Sequence, residues 1–281
     1  MSLSLGPLAL PLDTLLLFLT LGVFIGATKF LSGRRKIAGN EQLAERATSG
    51  IYIAALSALF LARTVFVIRF WSQYSEAPLH ILNIRDGGFS ASTGYFAFIT
   101  ALLLYCYRHK ALLGVYVRGI AVALLVLVPG DLAMTLYKQG KSLPSEPVAT
   151  LSGDTLSLSA YSGKPMVVNY WASWCPPCRR EMPVLEAAQA ANDDLHFIFV
   201  NQGETASAVA TFLKRNRLKL DNVLLDRTRA LSRSSGAAGL PTTLFFNRRG
   251  KLVDMHMGEL SAARLQVYID KLPAQSALHA Q

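Results

Sequence analysis

Met166-Val167-Val168-Asn169-Tyr170-Trp171-Ala172-Ser173-Trp174-Cys175-Pro176-Pro177-Cys178 is the stretch on which the fold turns. Its first six residues are mostly apolar and include two adjacent valines, the composition of a short strand buried on both faces. Two cysteines follow, separated by two prolines. From 178 to about 191 apolar residues recur at helical spacing, so the Cys-x-x-Cys stands at a strand-to-helix junction. With Cys175 as N-cap, Pro176 and Pro177 fall in the first turn, where a missing N–H costs nothing because first-turn amides have no intrahelical acceptor. The two sulfurs then lie about one turn apart and can close a disulfide. Free amides and the positive end of the helix dipole favour a thiolate at Cys175. The spacing thus predicts an exposed, attacking Cys175 and a shielded, resolving Cys178 in a dithiol–disulfide cycle. A zinc site would need two more ligands, and the soluble half offers only His196, His256 and His279 with no second Cys-x-x-Cys, so no metal is expected. A purely structural disulfide is the poorer reading at a junction that displays the bond.

The sequence on either side alternates strands with helices. A β-rich start at 148–158 and the turn Gly163-Lys164-Pro165 precede the buried strand. After the helix come a strand at Leu195–Asn201, an amphipathic helix at 204–217 and a short strand at 222–226. Thr242–Asn247 and Lys251–Met257 form a hairpin across Arg248-Arg249-Gly250, and a last helix covers 261–271. The pattern predicts an α/β sandwich over 148–272 with a tail at 273–281. Residues 135–147, with Gly140, Pro144 and Pro147, read as a linker.

The N-terminal half, 1–134, is different. Of the 281 residues 52% are apolar and 16% charged, too apolar for a soluble domain, and the excess lies here. Four runs, 12–31, 49–71, 88–107 and 111–130, approach the 20 or so residues that cross a bilayer. The first has no basic leader and no small-residue cleavage site, so it reads as a retained span. Arg34, Arg35, Lys36 and Arg46 sit between the first two spans, and Arg108 and Lys110 between the last two. The positive-inside rule makes those loops cytoplasmic and puts both termini, with the soluble half, outside. There disulfide chemistry is possible. The formal net charge of +10 is absorbed by this topology; no basic stripe interleaved with aromatics suggests nucleic acid. Arg63 and Arg118 fall within spans, at about 2.5–3.5 kcal/mol each on insertion scales, and call for partners inside the bundle or at a headgroup. Cys106, the third cysteine, reads as a buried inert thiol.

Two resemblances follow from these residues. The block Val168 to Pro183, with Trp174-Cys175-Pro176-Pro177-Cys178 at its centre and Gly239-Leu240-Pro241-Thr242-Thr243 further on, resembles the thioredoxin fold of TlpA/ResA-like extracytoplasmic thioredoxins. The resemblance implies that Pro183 kinks the helix, that Pro241 is cis beside the cysteines, and that Leu240 offers backbone hydrogen bonds to an extended partner. It also implies that Trp174 and Pro176 contact the substrate, and that 204–226 is this subgroup's helix-plus-strand insertion. Cytoplasmic-type thioredoxins carry a buried aspartate where this chain has Asn169, so the resolving thiol's proton must pass through water or another group, Glu259 being one candidate. The second resemblance, over 12–130, is to prolipoprotein diacylglyceryl transferases. It rests on Ala62-Arg63 and on Asp86-Gly87-Gly88-Phe89-Ser90 through Gly94. The family's histidine falls on Ser92 and its next glycine on Thr93, and its later Arg/Asn-containing segment has no counterpart, so this half is read as an anchor without acyl-transfer chemistry.

The sequence therefore predicts an N-terminal α-helical membrane bundle of four transmembrane helices and a C-terminal thioredoxin fold. The whole is a multi-pass protein of the inner (cell) membrane with its thioredoxin domain on the periplasmic side. Its expected activity is thiol–disulfide exchange through Cys175 and Cys178, most simply as a reductase such as those of cytochrome c maturation, with no cofactor beyond the redox disulfide. Expected partners are extracytoplasmic protein thiols and disulfides, a separate membrane redox protein, and lipid, but not nucleic acid. A disulfide-forming oxidase or isomerase is the alternative, and an acyltransferase-related protein with an accessory thioredoxin domain is the second.

Overall fold

A computed structural model describes residues 2–5, 8–33, 40–75, 78–82, 87–237 and 239–277. Arg34, Arg35, Lys36, Glu76, Arg85, Asp86 and His279 lie outside the described residues. The chain divides into two compact units, Asp13–Met134 and Thr135–Gln281 together with Met1–Leu12.

The helical unit contains α1 (Leu12–Gly33), α2 (Asn40–Arg69), α3 (Trp71–Ser75), α4 (Ala91–Arg108) and the start of α5 (Leu113–Gly140). Among the described residues, three stretches are long and apolar enough to cross a membrane: Leu15–Gly33, Gln42–Arg69 and Lys110–Tyr137. The run 88–107, read as a fourth crossing, is not among these three. It does form a helix, α4, packed along α2. But α4 has 18 residues, opening on Ser92, Thr93 and Gly94 and ending on Arg108. Its rise of about 27 Å puts it at the short end of helices that cross a bilayer.

Polarity inside this unit is satisfied locally. Thr20 and Ser32 donate to the carbonyls of Leu16 and Thr28 one turn back, both at 2.7 Å, which removes the need for an outside partner in an apolar setting. Phe24, Ile51, Leu102, Cys106, Leu112 and Tyr116 form its interior, and the Tyr116 hydroxyl donates to Ala47 O at 2.8 Å. Phe18, Phe60, Ile68, Phe96 and Leu125 point outward, the inversion that suits a hydrocarbon solvent.

The second unit begins with an antiparallel pair, β1 (Ser2–Leu5) and β2 (Leu8–Pro11). Its main sheet comprises β3 (Val148–Thr150), β4 (Thr155–Leu156), β5 (Met166–Trp171), β6 (His196–Gln202), β7 (Val223–Asp226), β8 (Thr242–Phe246) and β9 (Leu252–Met257). The strand order is β4-β3-β7-β6-β5-β8-β9, with β5, β6 and β7 parallel and the other neighbours antiparallel. The helices are α6 (Pro176–Ala191), α7 (Ala206–Asn216), α8 (Ala230–Ser235) and α9 (Ala262–Ala277). This is a thioredoxin-like α/β fold.

Strand periodicity sorts the two faces. Val167 and Trp171 join Phe197, Phe199 and Phe245 under α6, α7 and α9. Met166, Val168 and Tyr170 join Ile198, Val200 and Leu244 on the opposite face with Leu158 and Leu231. A residue at 169 must therefore face α6, since successive strand side chains alternate. All six residues of β5 are buried, and each such aliphatic or aromatic side chain contributes about 1.5–3 kcal/mol. Of the expected linker, 135–140 continues α5. Beyond it Ser142 bridges Lys251, and Leu143 N donates to Gly250 O at 2.9 Å.

Candidate functional site

The Cys-x-x-Cys lies where β5 gives way to α6. Cys175 is the N-cap of α6, with backbone dihedrals of −88° and 109° and prolines in the first turn. Its Sγ accepts the amide of Cys178 at 3.3 Å, satisfying one of the orphan first-turn donors. Cys175 and Cys178 are joined as a disulfide, S–S 2.05 Å, across a Cα separation of 5.3 Å. The expectation of an exposed Cys175 needs correcting: it is 3% exposed and Cys178 0%. Capping draws the Cys175 sulfur inward over the helix end, and both residues belong to the apolar cluster beneath α6. What stands in solvent is the flank: Trp174 is 61% exposed and Pro176 is exposed.

The peptide between Leu240 and Pro241 is cis. Tyr170 pairs with Thr242 at the end of β5, so Pro241 falls at the same end of the sheet as the cysteines. Leu240 is half-buried and packs on the cluster that holds both cysteines. The Pro241 carbonyl is already used, accepting Gly258 N at 2.9 Å. Trp171 is fully buried against Phe212, ring centroids 5.3 Å apart.

The sequence reading passed over Glu181. This residue is 1% exposed and stands one turn beyond Cys178 on the same helix face. Its Oε1 accepts from Asn169 Nδ2 at 2.8 Å and its Oε2 from Leu260 N at 2.9 Å. Asn169 Nδ2 also reaches Thr243 Oγ1 at 3.0 Å. Burial pushes the Glu181 carboxyl up to about 8, against the opposing effect of those two donors and with a small upward contribution from Glu259. An acid of that strength beside a resolving thiol can take or return a proton near neutral pH. Glu259, the candidate raised from sequence, is instead held by Arg180, whose Nε and Nη2 donate to its Oε2 at 2.8 and 2.6 Å. A signal for Glu181 was present: it sits among Cys178, Met182 and Leu185, the buried stripe of α6, where a charged residue is out of pattern.

Glu204 was also missed. It lies at the β6–α7 turn, and its Oε2 accepts from Ser173 N and Asn201 Nδ2, both at 2.7 Å, while the Ser173 hydroxyl donates to its Oε1 at 2.5 Å. This carboxylate ties the loop carrying Trp174 and Cys175 to the end of β6.

In the helical unit Arg63 donates from Nε and Nη2 to Ile81 O at 3.2 and 3.0 Å, and from Nη1 to Gly88 O at 2.8 Å. Its guanidinium carbon lies 5.3 Å from the Tyr74 ring centroid and 5.6 Å from that of Phe89. This arginine thus closes backbone carbonyls around the Gly88 segment. Arg118 is exposed on α5, and Cys106 is buried.

Comparison with known proteins agrees with this division. The Redoxin family model matches residues 138–267, and the prolipoprotein diacylglyceryl transferase model matches residues 3–130. Thiol-disulfide oxidoreductase ResA of Bacillus cereus is 28% identical over 163 residues, covering 54% of this chain and 94% of the relative. ResA of Bacillus subtilis is 30% identical over 139 residues, covering 47% of this chain and 74% of the relative. Among solved structures, MTB dsbF in mixed oxidized and reduced forms is 25% identical, covers 47% of this chain and 99% of its own, and superposes with a TM-score of 0.43.

Proposed function

Because the chain belongs, through its soluble half, to the ResA-type thiol–disulfide oxidoreductases, we propose that it is a membrane-anchored disulfide reductase for extracytoplasmic protein substrates. In the proposed cycle the reduced chain presents Cys175 as a thiolate, held by the Cys178 amide. It attacks one sulfur of a substrate disulfide; that bond breaks, one substrate thiolate leaves, and a mixed disulfide forms. Cys178 then gives up its proton to Glu181 in the fraction of molecules whose carboxyl is ionised, and attacks Cys175 Sγ, releasing the second substrate thiol. Two electrons pass from the protein dithiol to the substrate, and the Cys175–Cys178 disulfide remains. Trp174, Pro176 and the Leu240–Pro241 edge would contact the substrate chain. A separate membrane redox protein would return the electrons, since Cys106 alone cannot cycle through an intramolecular disulfide.

The observation that carries this reading is Glu181, buried beside a nearly buried cysteine pair. Strong oxidants owe their potential to a stabilised thiolate form. Burial of both sulfurs, above a carboxyl that burial itself keeps largely neutral, works against a thiolate and so favours the reducing direction. The helical unit, similar to the diacylglyceryl transferases but with Ser92 where their histidine falls, would serve as anchor, with the soluble half on the periplasmic side. Equilibration with glutathione tests the direction: a potential near −270 mV is expected for a reductase, whereas one near −120 mV would make the protein an oxidase.

A further inference from the structure

Because β5, β6 and β7 run parallel, their C-terminal ends share one rim of the sheet. Trp171 stands level with Asn201, and Asn201 with Leu225. The redox pair follows β5 on this rim. The carboxylates there are engaged. Glu204 accepts from Ser173 and Asn201. Asp226, 3% exposed, accepts the amides of Leu231 and Ser232 at 3.3 and 2.8 Å. Glu259 is paired with Arg180. Apart from Arg180, four arginines stand there without an ion pair. Arg179 in the first turn of α6, Arg227 and Arg229 between β7 and α8, and Arg233 on α8 are all exposed. None of these four guanidinium groups has a carboxylate partner among the described residues.

Arg229 shows the arrangement best. Its φ is +58°, in the left-handed region that costs a residue with a β-carbon about 1–2 kcal/mol and that glycine or asparagine would occupy more cheaply. The guanidinium lies over Gly203, where a β-carbon would sit 3.6 Å from its Nε and 3.7 Å from its Nη2. Gly203 immediately precedes Glu204, whose carboxylate holds Ser173, two residues before Cys175. A strained arginine thus lies against the turn that leads into Glu204, with no carboxylate within ion-pair distance among the described residues.

We infer that this rim is a docking surface for acidic polypeptide: the substrate's reactive cysteine is flanked by Asp or Glu side chains, which Arg179, Arg227, Arg229 and Arg233 attract and hold during exchange. The inference rests on the thiol-exchange reading of Cys175 and Cys178. Charge complementarity acts chiefly on encounter, raising on-rates by about 10- to 1,000-fold at low salt.

The test uses the reduced full-length chain in an uncharged detergent and two peptides of equal length with one internal disulfide each, flanked by glutamates in one and by lysines in the other. Bis(2-hydroxyethyl) disulfide serves as the uncharged reference. The acidic peptide should be reduced about tenfold faster or more at low ionic strength, and the ratio should approach one in 1 M salt, where screening acts within about 3 Å. Arg227→Glu with Arg233→Glu should reverse the preference, and Arg227→Gln with Arg233→Gln should flatten it, each with the rate on the uncharged disulfide unchanged. Equal peptide rates at low salt, a faster lysine peptide, or a preference that survives both variants would overturn the proposal while leaving the exchange reading intact. Failure of the wild-type chain to reduce the uncharged disulfide would remove the exchange reading, and the proposal with it.

Discussion

Replacing Glu181 by glutamine should flatten the pH dependence of the soluble unit's stability. In the folded chain burial raises this carboxyl from 4.5 to about 8, so the native state holds a proton that the unfolded chain gives up in the interval between. A group whose folded value is raised contributes fully below its unfolded value and loses that contribution as pH rises through the folded value. The window is therefore pH 4.5 to about 8. At about 1.4 kcal/mol per unit the loss amounts to something on the order of 5 kcal/mol, comparable to the whole stability of a small domain. Glutamine cannot ionise but keeps the volume. It offers one acceptor where the carboxyl offers two, so either Asn169 or Leu260 would face an amide nitrogen. Asn169 Oδ1, which has no hydrogen-bond partner among the described residues, can meet it by rotation of the side-chain amide. That holds the cost at low pH to about one hydrogen bond, roughly 1 kcal/mol. The assay is guanidinium unfolding of the oxidised, detergent-solubilised chain, followed by tryptophan fluorescence at intervals from pH 4.5 to 9. Wild type should fall relative to Glu181→Gln as pH rises, with the difference levelling off above about 8. Parallel curves for the two proteins across that range would refute the assignment of a neutral buried acid at 181.

Cys178→Ser should accumulate mixed disulfides with substrates through Cys175 while Cys175→Ser does not; equal trapping on non-reducing gels would contradict the assigned order of attack. Gly88→Ala places a β-carbon 2.5 Å from Arg63 Nη1 and 2.7 Å from Phe66 Cε1, so the detergent-solubilised helical unit should lose about 1–3 kcal/mol. An unchanged thermal melt would show that the Arg63 clamp gives way easily. Cys106→Ser should leave the in-cell redox state of Cys175 and Cys178 unaltered by thiol trapping, and a build-up of one form would make Cys106 a participant.

Features carried by neighbouring residues were legible in the sequence. The strand 166–171, its junction with α6 and the order of later strands and helices depend on local periodicity and on two prolines between two cysteines. Other features depend on distant chain. Glu181 is out of pattern in the apolar stripe of α6, but only the fold sets it against Asn169 and Leu260, the latter 79 residues away. Glu204 reads as a helix-start acid until β6 brings it to Ser173. The burial of Cys175 follows from capping geometry, which spacing does not specify. The short α8 has no apolar repeat long enough to register. In the helical half, 88–107 does form the helix its apolar run suggests, but its polar first turn and terminal Arg108 set it apart from the three longer apolar stretches.

The interior place of β5 in its sheet has a bearing on biosynthesis. Its partner β6 follows directly, but the strand on its other side, β8, pairs Tyr170 with Thr242 and Met166 with Phe246. At 5–20 residues per second that partner is made roughly 4 to 15 seconds after β5 itself. Throughout that interval a mostly apolar strand has one edge of unpaired backbone, the kind of edge that other chains can add to. Codons that slow elongation between 203 and 241 should therefore reduce the yield of folded chain more than the same codons placed after 246, when the edge has been closed.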